Sequence, residues 1–408
     1  MKALVLAAGE GTRLRPLTSN IPKPLLMIAG RPYLSHLFKA LKDSGIDEVV
    51  LLVGWKSNRI MEYFGDGSGE GIRISYLEQK VRLGTANAIG TAAELMDEDF
   101  LCVNGDDLIS EGDIAAALEM HERTNATVIG AVEVQDPSRF GVIEESGGKM
   151  IKIVEKPRDP PSKLINAGLF ILKPDIFGHI ARTKISKRGE YEVTDTLNSY
   201  AAENDIGVLK LKDYWMDVGR PWDLLKANEV LLSKMKSDVK GIVEPGAVLK
   251  GTVIVEEGAI IKSGSYIEGP AYISKNCVIG PNCYIRGCTS LGVGVKVGAS
   301  VEVKNSVVMS GTHIPHHNYV GDSVIGERCN FGAGTKVANL RFDDRSVKVS
   351  FNGELFDTGL RKLGVIMGDD VKTGINSMIE PGTVIWERSK IGVGALAKGS
   401  IGPDSWIF

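Results

Sequence analysis

The sequence predicts two domains of different build: an α/β domain with a mainly parallel sheet and, after it, a parallel β-helix of hexapeptide repeats. Three observations carry this. At 408 residues the chain exceeds one ordinary core. Residues 1–225 alternate short apolar runs with amphipathic stretches. From Val243 onward an aliphatic residue or Met returns at every sixth position.

In the first part, KALVLAA, EVVLLVG, FLCVNGD and ATVIGAVEV read as buried strands, rich in Val, Leu and Ile and bounded by turn residues. Residues 33–44 (YLSHLFKALKDS) and 85–96 read as helices between them. Strand–helix alternation of this kind builds a mainly parallel sheet. Residues 221–238 (PWDLLKANEVLLSKMKSD) read as a helix with proline in its first turn, leading out of the domain.

In the second part the sixth positions are Val243, Leu249, Val255, Ile261, Ile267, Ile273, Ile279, Ile285, Leu291, Val297, Val303 and Met309. A period of six suits neither a 3.6-residue helix nor a hairpin sheet; it suits short strands joined by regular corners. The phase fails at Pro315, returns as Ile325, Phe331 and Val337, and lapses over 338–364. It resumes as Met367, Thr373, Ile379, Ile385 and Ile391. The pattern resembles the left-handed hexapeptide β-helix, in which three hexapeptides make one 18-residue coil and neighbouring coils stabilise one another. The expected division is 1–225, a helical linker 226–240, and 241–408.

Composition narrows the partners. The chain is 43% hydrophobic and 24% charged with a net charge of −3, which argues against a general nucleic-acid binder. The 48 glycines exceed the roughly 7% of average usage and cluster in the C-terminal half, as many tight turns require. The start, MKALVLAAGEG, lacks a signal-peptide pattern, and no 18-residue apolar span appears. Five cysteines form no C-x-x-C pair. A reduced, cytoplasmic chain without structural metal and without membrane contact is expected.

The strongest local signal is LAAGEGTRLRPLT followed by IPKPL, residues 6–25. A glycine-bearing loop after a strand lets backbone N–H groups approach phosphate oxygens, and Arg13 and Lys23 add positive charge. This segment resembles the nucleotidyltransferases that make nucleoside-diphosphate sugars, whose catalytic domain is Rossmann-like. The resemblance continues in order along 1–225. It implies nucleotide contacts from Ala8, Gly9, Gly11, Thr12, Gln79, Gly84 and Thr85, with Gln79 at the base edge in EQKVRLGTANA. It implies Asp106 (VNGDD) and Asp217 (YWMDVG) as Mg²⁺ ligands, with the adjacent Asp107 facing elsewhere. Gly141 (RFGVIE), Glu155 and Lys156 (IVEKP) and Asn166 (INAGLF) would hold the sugar phosphate. The implied reaction is in-line attack of a sugar-1-phosphate oxygen on the α-phosphorus of UTP or dTTP. Such a step needs no protein nucleophile; it needs two anions brought together and the developing charge neutralised by Mg²⁺, Arg13 and Lys23.

Three of the six histidines, His313, His316 and His317, fall within SGTHIPHHNYVGD, where the repeat loses its rhythm. Arg286 and Lys304 stand 18 residues apart and should stack on one face. From the residues alone, the histidines could serve a general base, a metal cluster or no function. Pro315 disfavours a regular helix there, and no Cys or carboxylate joins the three. The C-terminal part resembles the acetyltransferase domain of the bifunctional enzyme that makes UDP-N-acetylglucosamine. That resemblance implies His316 as general base, with Arg286, Lys304, Tyr319, Asn330 and Lys362 on the sugar phosphate and Asn339 supporting acetyl transfer. An aliphatic interior cannot host a base, so the histidines are expected on an excursion from the repeat. His317 receives no role.

Over its full length the chain resembles the archaeal type of bifunctional sugar-1-phosphate nucleotidyltransferase/acetyltransferase. The resemblance implies acetyl transfer from acetyl-CoA to glucosamine-1-phosphate or galactosamine-1-phosphate, then uridylyl transfer to give a UDP-N-acetylhexosamine. It also implies a homotrimer or higher multiple of three. The alternative keeps one activity, a glucose-1-phosphate thymidylyl- or uridylyltransferase with a regulatory or oligomerising β-helix. A non-catalytic scaffold would be expected to lose the loop motif, which is intact here in Gly11, Arg13, Lys23 and Asp106.

Overall fold

The computed structural model describes residues 1–351 and 353–408. Contacts divide the chain into two compact units. Met1–Glu10, Pro22–Leu25 and Tyr33–Asp217 form the first; Gly11–Ile21, Leu26–Pro32 and Val218–Phe408 form the second.

The first unit is built on a nine-stranded sheet. Arg73–Glu78, Glu48–Val53, Ala3–Ala7 and Phe100–Asn104 lie side by side, all parallel. Leu164–Leu172 joins Phe100–Asn104 antiparallel, and beyond it the sheet is mixed. Strands covered on both faces should be apolar nearly throughout: Ala3–Ala7 is wholly so, Phe100–Asn104 is up to Asn104 and Glu48–Val53 is after Glu48, whereas the edge strand Arg73–Glu78 mixes apolar with polar residues. Val5 packs on one side with Leu34 and Phe38, while Leu4 packs on the other with Ile89 and Leu197. Tyr33–Asp43 is helical as its 3.6-residue pattern predicts, burying Leu34, Leu37, Phe38 and Leu41.

Two helices are shorter than predicted. The one expected over 85–96 is Thr85–Gly90, ending at weak helix formers, Gly90 and Thr91. The one expected over 221–238 is Asp223–Ser233. Its tail is drawn instead into the first β-helix face, where Asp238–Val239 pairs in parallel with Ile254–Val255.

The second unit is a left-handed β-helix with three faces, each a stack of short parallel strands. Register partners lie 18 residues apart at the start, as in Ile242↔Ile260, Val248↔Tyr266 and Val253↔Ala271. Ten of the twelve predicted sixfold positions from Val243 are buried; Val243 and Leu249, in the first coil, are partly covered. The rhythm then changes in a way the period alone did not show. Leu291 pairs with Val308, not Met309, and Val303 pairs with Val320, so these coils have 17 residues. The stacked interior runs Val303, Val308, Ile314, Val320, Ile325, Phe331, Val337. Its two five-residue steps fall at Val303–Val308 and Val320–Ile325. The histidine stretch therefore stays within the coil: His313–Ile314 and Tyr319–Gly321 are face strands. The real excursion comes later. Val324 pairs with Ile366, and the residues between include an antiparallel hairpin of Lys348–Phe351 and Glu354–Asp357. Val349 and Phe351 of the hairpin are buried, and Phe351 stacks on Trp386 with ring centroids 6.0 Å apart.

Corners also stack. Gly264, Asn282, Ser300, His317, Gly334 and Asn376 occupy equivalent corners, and all have positive φ. The His317 N–H donates to the Ala299 carbonyl at 3.0 Å. His317 is thus an exposed corner residue in the left-handed region. The Gly11–Ile21 and Leu26–Pro32 segments are tied to this unit by polar side chains. Buried Asn228 accepts from the Ala29 N–H at 3.0 Å and donates to the Cys288 carbonyl at 2.7 Å, and Asn20 donates to Asp369 at 3.3 Å. All five cysteines are thiols, and burial pushes those of Cys277 and Cys329 up to about 12.

Phe331 is the largest fully buried side chain of the β-helix interior. Phe331→Ala should lower the unfolding free energy by about 3–5 kcal/mol, read from the denaturant midpoint.

Candidate active sites

In the first unit the chain gathers carboxylates at the end of a strand. Phe100–Asn104 leads into Gly105, Asp106 and Asp107. Asp106 keeps its carboxylate 46% exposed and lies 3.5 Å from the ammonium of Lys23, itself 7% exposed. Lys23 also donates to the Asp106 carbonyl at 2.9 Å, as does the Tyr33 hydroxyl at 2.9 Å. These bonds fix both the lysine and the turn that carries Asp106.

Asp107 does not face elsewhere, as the sequence suggested. It is 4% exposed, accepts from Asn104 Nδ2 at 2.9 Å, and sits opposite Asp217 in an antiparallel pair. Burial first, then the charges of Asp106 and Asp217, raise its pKa well above the usual carboxylate range. The strain of this crowding suits a divalent cation: Asp106 and Asp217 offer hard oxygen donors where negative charge is already concentrated. Among the described residues no group of three or more His, Cys, Asp or Glu side chains is arranged to hold a metal. Two carboxylates completed by substrate oxygens and water is the set that Mg²⁺ favours.

A bulge in the neighbouring strand shapes this cluster. The Leu164–Leu172 register shifts between Asn166 and Phe170, and Asn166 Oδ1 accepts from the Gly168 N–H at 2.9 Å. Gly168 has φ +67°, and a Cβ there would stand 2.1 Å from Asn104 Nδ2 and 2.4 Å from Asp107 Oδ2. The Ala167 carbonyl accepts from the Trp215 indole at 2.8 Å, locking in the strand that carries Asp217.

The other predicted contacts fall into groups. Ala8 is buried and Gly9 exposed at the end of the first strand. Gly11 has φ 67° and opens the turn Thr12–Leu14, in which Thr12 and Arg13 are exposed. Gln79 is 8% exposed, and its Nε2 donates to Asn87 Oδ1 at 3.2 Å. That bond orients the amide and was not anticipated. Gly84 caps Thr85–Gly90 and approaches Tyr191 so closely that a Cβ would lie 2.5 Å from its carbonyl oxygen; Thr85 accepts from the Val193 N–H at 3.1 Å. Gly141 and Glu155 are register partners, and Lys156 lies 3.6 Å from Glu155. Arg188, another unanticipated residue, bridges Glu155 at 3.2 Å and Glu192 at 3.0 Å.

In the second unit, Arg286 and Lys304 are register partners on one face, as their spacing predicted. Each has its own carboxylate: Arg286 lies 3.1 Å from Glu302, and Lys304 lies 3.0 Å from Asp322. The Glu302 hydrogen bond raises the Arg286 pKa further. The next residue in that column is Gly321, where a Cβ would meet the Tyr319 hydroxyl at 2.6 Å and Asn339 Nδ2 at 2.7 Å. Arg286, Lys304 and Tyr319 thus share a wall, and Asn339 donates to Tyr319 at 3.2 Å. His316 is exposed in the corner between His313–Ile314 and Tyr319–Gly321, leading directly onto this wall. Asn330 is on the adjacent face, bridged to His313 and Lys372. Lys362 is exposed at the base of the excursion, opposite Leu340. The 18-residue spacing that relates Arg286 to Lys304 also relates Lys304 to Asp322.

Gly168→Ala should destabilise the chain by about 1–3 kcal/mol, because positive φ and the Asn104–Asp107 contact both oppose a methyl group. Chemical denaturation would read this.

Comparison with known proteins identifies the family of the chain. The family model described as nucleotidyl transferase matches residues 2–234, and that described as GMPPB C-terminal domain matches 267–391. The bifunctional protein GlmU of Methanocaldococcus jannaschii is 46% identical over 100% of this chain and 97% of its own. The bifunctional sugar-1-phosphate nucleotidylyltransferase/acetyltransferase of Sulfurisphaera tokodaii is 43% identical over 98% of each. A crystal structure of a putative glucose-1-phosphate thymidylyltransferase from Bacillus anthracis superposes with a TM-score of 0.54 at 29% identity, covering 58% of this chain and 97% of that one. No helix among the described residues is long and apolar enough to cross a membrane. The chain belongs to the nucleotidyl transferase family and, over its whole length, to the archaeal bifunctional sugar-1-phosphate nucleotidylyltransferase/acetyltransferases.

Proposed function

We propose that the chain makes a UDP-N-acetylhexosamine in two steps, one on each functional domain, with 1–225 and 241–408 as those domains and 226–240 between them. The observation that carries this is the joint presence of the Lys23–Asp106–Asp217 cluster and the Arg286–Lys304–Tyr319–Asn339 wall in one chain. Relatives named bifunctional align with 98–100% of it, which favours this reading over a single activity.

In the first step the amine of glucosamine-1-phosphate (or galactosamine-1-phosphate) attacks the thioester carbonyl of acetyl-CoA. A C–N bond forms and the C–S bond breaks. His316 takes the amine proton, and CoA leaves as the thiol. Arg286, Lys304, Asn330 and Lys362 hold the sugar phosphate with Tyr319, and Asn339 supports the transfer. The exposed corner position of His316 suits a base that must meet substrate and solvent.

In the second step a phosphate oxygen of the acetylated sugar attacks the α-phosphorus of UTP and pyrophosphate leaves. Lys23 and Arg13 neutralise charge on the phosphates, while Gly9, Gly11 and Thr12 with Ala8 let the loop backbone approach them. Gln79, held by Asn87, presents its carbonyl oxygen to the base N3–H, an arrangement that serves uracil or thymine. Gly84 and Thr85 flank the base, and Gly141, Glu155, Lys156 and Asn166 hold the sugar phosphate. Mg²⁺ bound by Asp106 and Asp217 would add positive charge at the reacting phosphates. The same reading includes a cytoplasmic location and a homotrimer or higher multiple of three; Ile375, Met378, Val393, Leu396 and Trp406, exposed on the β-helix, suit self-association.

His316→Ala should cut thiol release from acetyl-CoA and glucosamine-1-phosphate by about 10²–10⁴-fold and leave pyrophosphate release from UTP and N-acetylglucosamine-1-phosphate intact. Equal loss of both activities would contradict its role as base. Asp217→Asn should do the reverse, and should lose any rise in melting temperature that millimolar Mg²⁺ gives the unaltered chain.

A further inference from the structure

We infer that Asp322 is the positioning residue of the acetyl-transfer wall, setting Lys304 and the amide of Asn339 in their working orientation. The inference rests on the acetyl-transfer reading above.

The two five-residue steps of the repeat create the arrangement. Each shortens a corner, and each shortened corner carries a residue in the left-handed region: Asn305 at φ 44° and Asp322 at φ 49°. Asn and Asp tolerate that conformation better than other non-glycine residues. Successive shortened corners stack, with the Asp322 N–H donating to the Lys304 carbonyl at 2.9 Å. The Asn305 and Asp322 side chains consequently meet, Nδ2 to Oδ1, at 2.7 Å.

The Asp322 carboxylate is 5% exposed and accepts from three side chains. Lys304 donates to its two oxygens at 3.3 and 3.0 Å, Asn305 to Oδ1, and Asn339 Nδ2 to Oδ2. A carboxylate cannot tolerate an amide oxygen at such a contact, so it decides which end of Asn339 faces it. The same nitrogen donates to the Tyr319 hydroxyl, so both its hydrogens are engaged. Asn339 Oδ1 is therefore turned away from Asp322, free to accept an N–H such as that of the attacking amine. Lys304, 21% exposed, is meanwhile held by charge-assisted bonds to a buried partner, and its ammonium needs no reordering when a phosphate arrives. Without Asp322 the lysine would lose its tether and the amide could turn over.

The test is Asp322→Asn in the full chain, assayed with glucosamine-1-phosphate and acetyl-CoA beside the pyrophosphate-forming reaction. The expected result is a KM for glucosamine-1-phosphate raised about tenfold and a kcat lowered about tenfold, the scale of a lost hydrogen bond to a charged group. The KM for acetyl-CoA and the pyrophosphate-forming rate should stay within about twofold on the same scale. A purely structural lesion would reduce active enzyme and leave both KM values in place, and that outcome would overturn the inference. Should Asp322→Asn not fold, Asn305→Gly keeps the left-handed corner and removes one tether. It should raise the same KM about twofold to threefold, and an unchanged KM would overturn the inference. Absence of thiol release from the unaltered chain would instead remove the acetyl-transfer reading, and the inference with it.

Discussion

Everything in the second unit depends on one constraint: every strand must return an aliphatic side chain to a narrow interior while its backbone pairs with the coils on either side. Stacked coils bury what a single coil cannot. Val297, Ile314 and their equivalents are each covered by the coils before and after. Once that interior is fixed, the outward residues have no freedom of placement. Arg286 lies opposite Lys304 because Ile285 lies opposite Val303. The pairing of two basic residues on one wall thus follows from hydrophobic register rather than from any attraction between them, since like charges repel.

That repulsion is answered locally. Glu302 stands by Arg286 and Asp322 by Lys304, so the wall is rich in donors without carrying uncompensated charge. The first unit follows the opposite course. There Asp106, Asp107 and Asp217 crowd together, and the buried Asp107 holds its proton far more tightly than an ordinary carboxyl. One cluster pairs each cation with a carboxylate; the other crowds three carboxylates together.

Much of this was legible in the sequence. Apolar runs marked the parallel strands because both faces of that part of the sheet are covered, and the sixfold pattern marked the interior because each position has neighbours above and below. The pattern misled where a corner loses a residue: Met309 is buried, yet Val308 carries the stack. Period alone could not show that, since a single deletion leaves an apolar residue at either position. The histidines looked displaced from the repeat for the same reason. Asp107 escaped because adjacent residues on a strand normally face opposite ways, whereas a turn at Gly105 and Asp106 brings both carboxylates to one place. Asn87, Arg188 and Asp322 are bonded to other side chains, and a residue whose partner is another residue leaves no motif of its own.

The central claim is that one chain joins acetylation to nucleotide-sugar formation. The most direct measurement is the mass of the nucleotide sugar formed from glucosamine-1-phosphate, UTP and Mg²⁺, with and without acetyl-CoA. The account predicts UDP-N-acetylglucosamine when acetyl-CoA is present and little nucleotide sugar when it is absent. Equal yield of unacetylated UDP-glucosamine in both mixtures would contradict it.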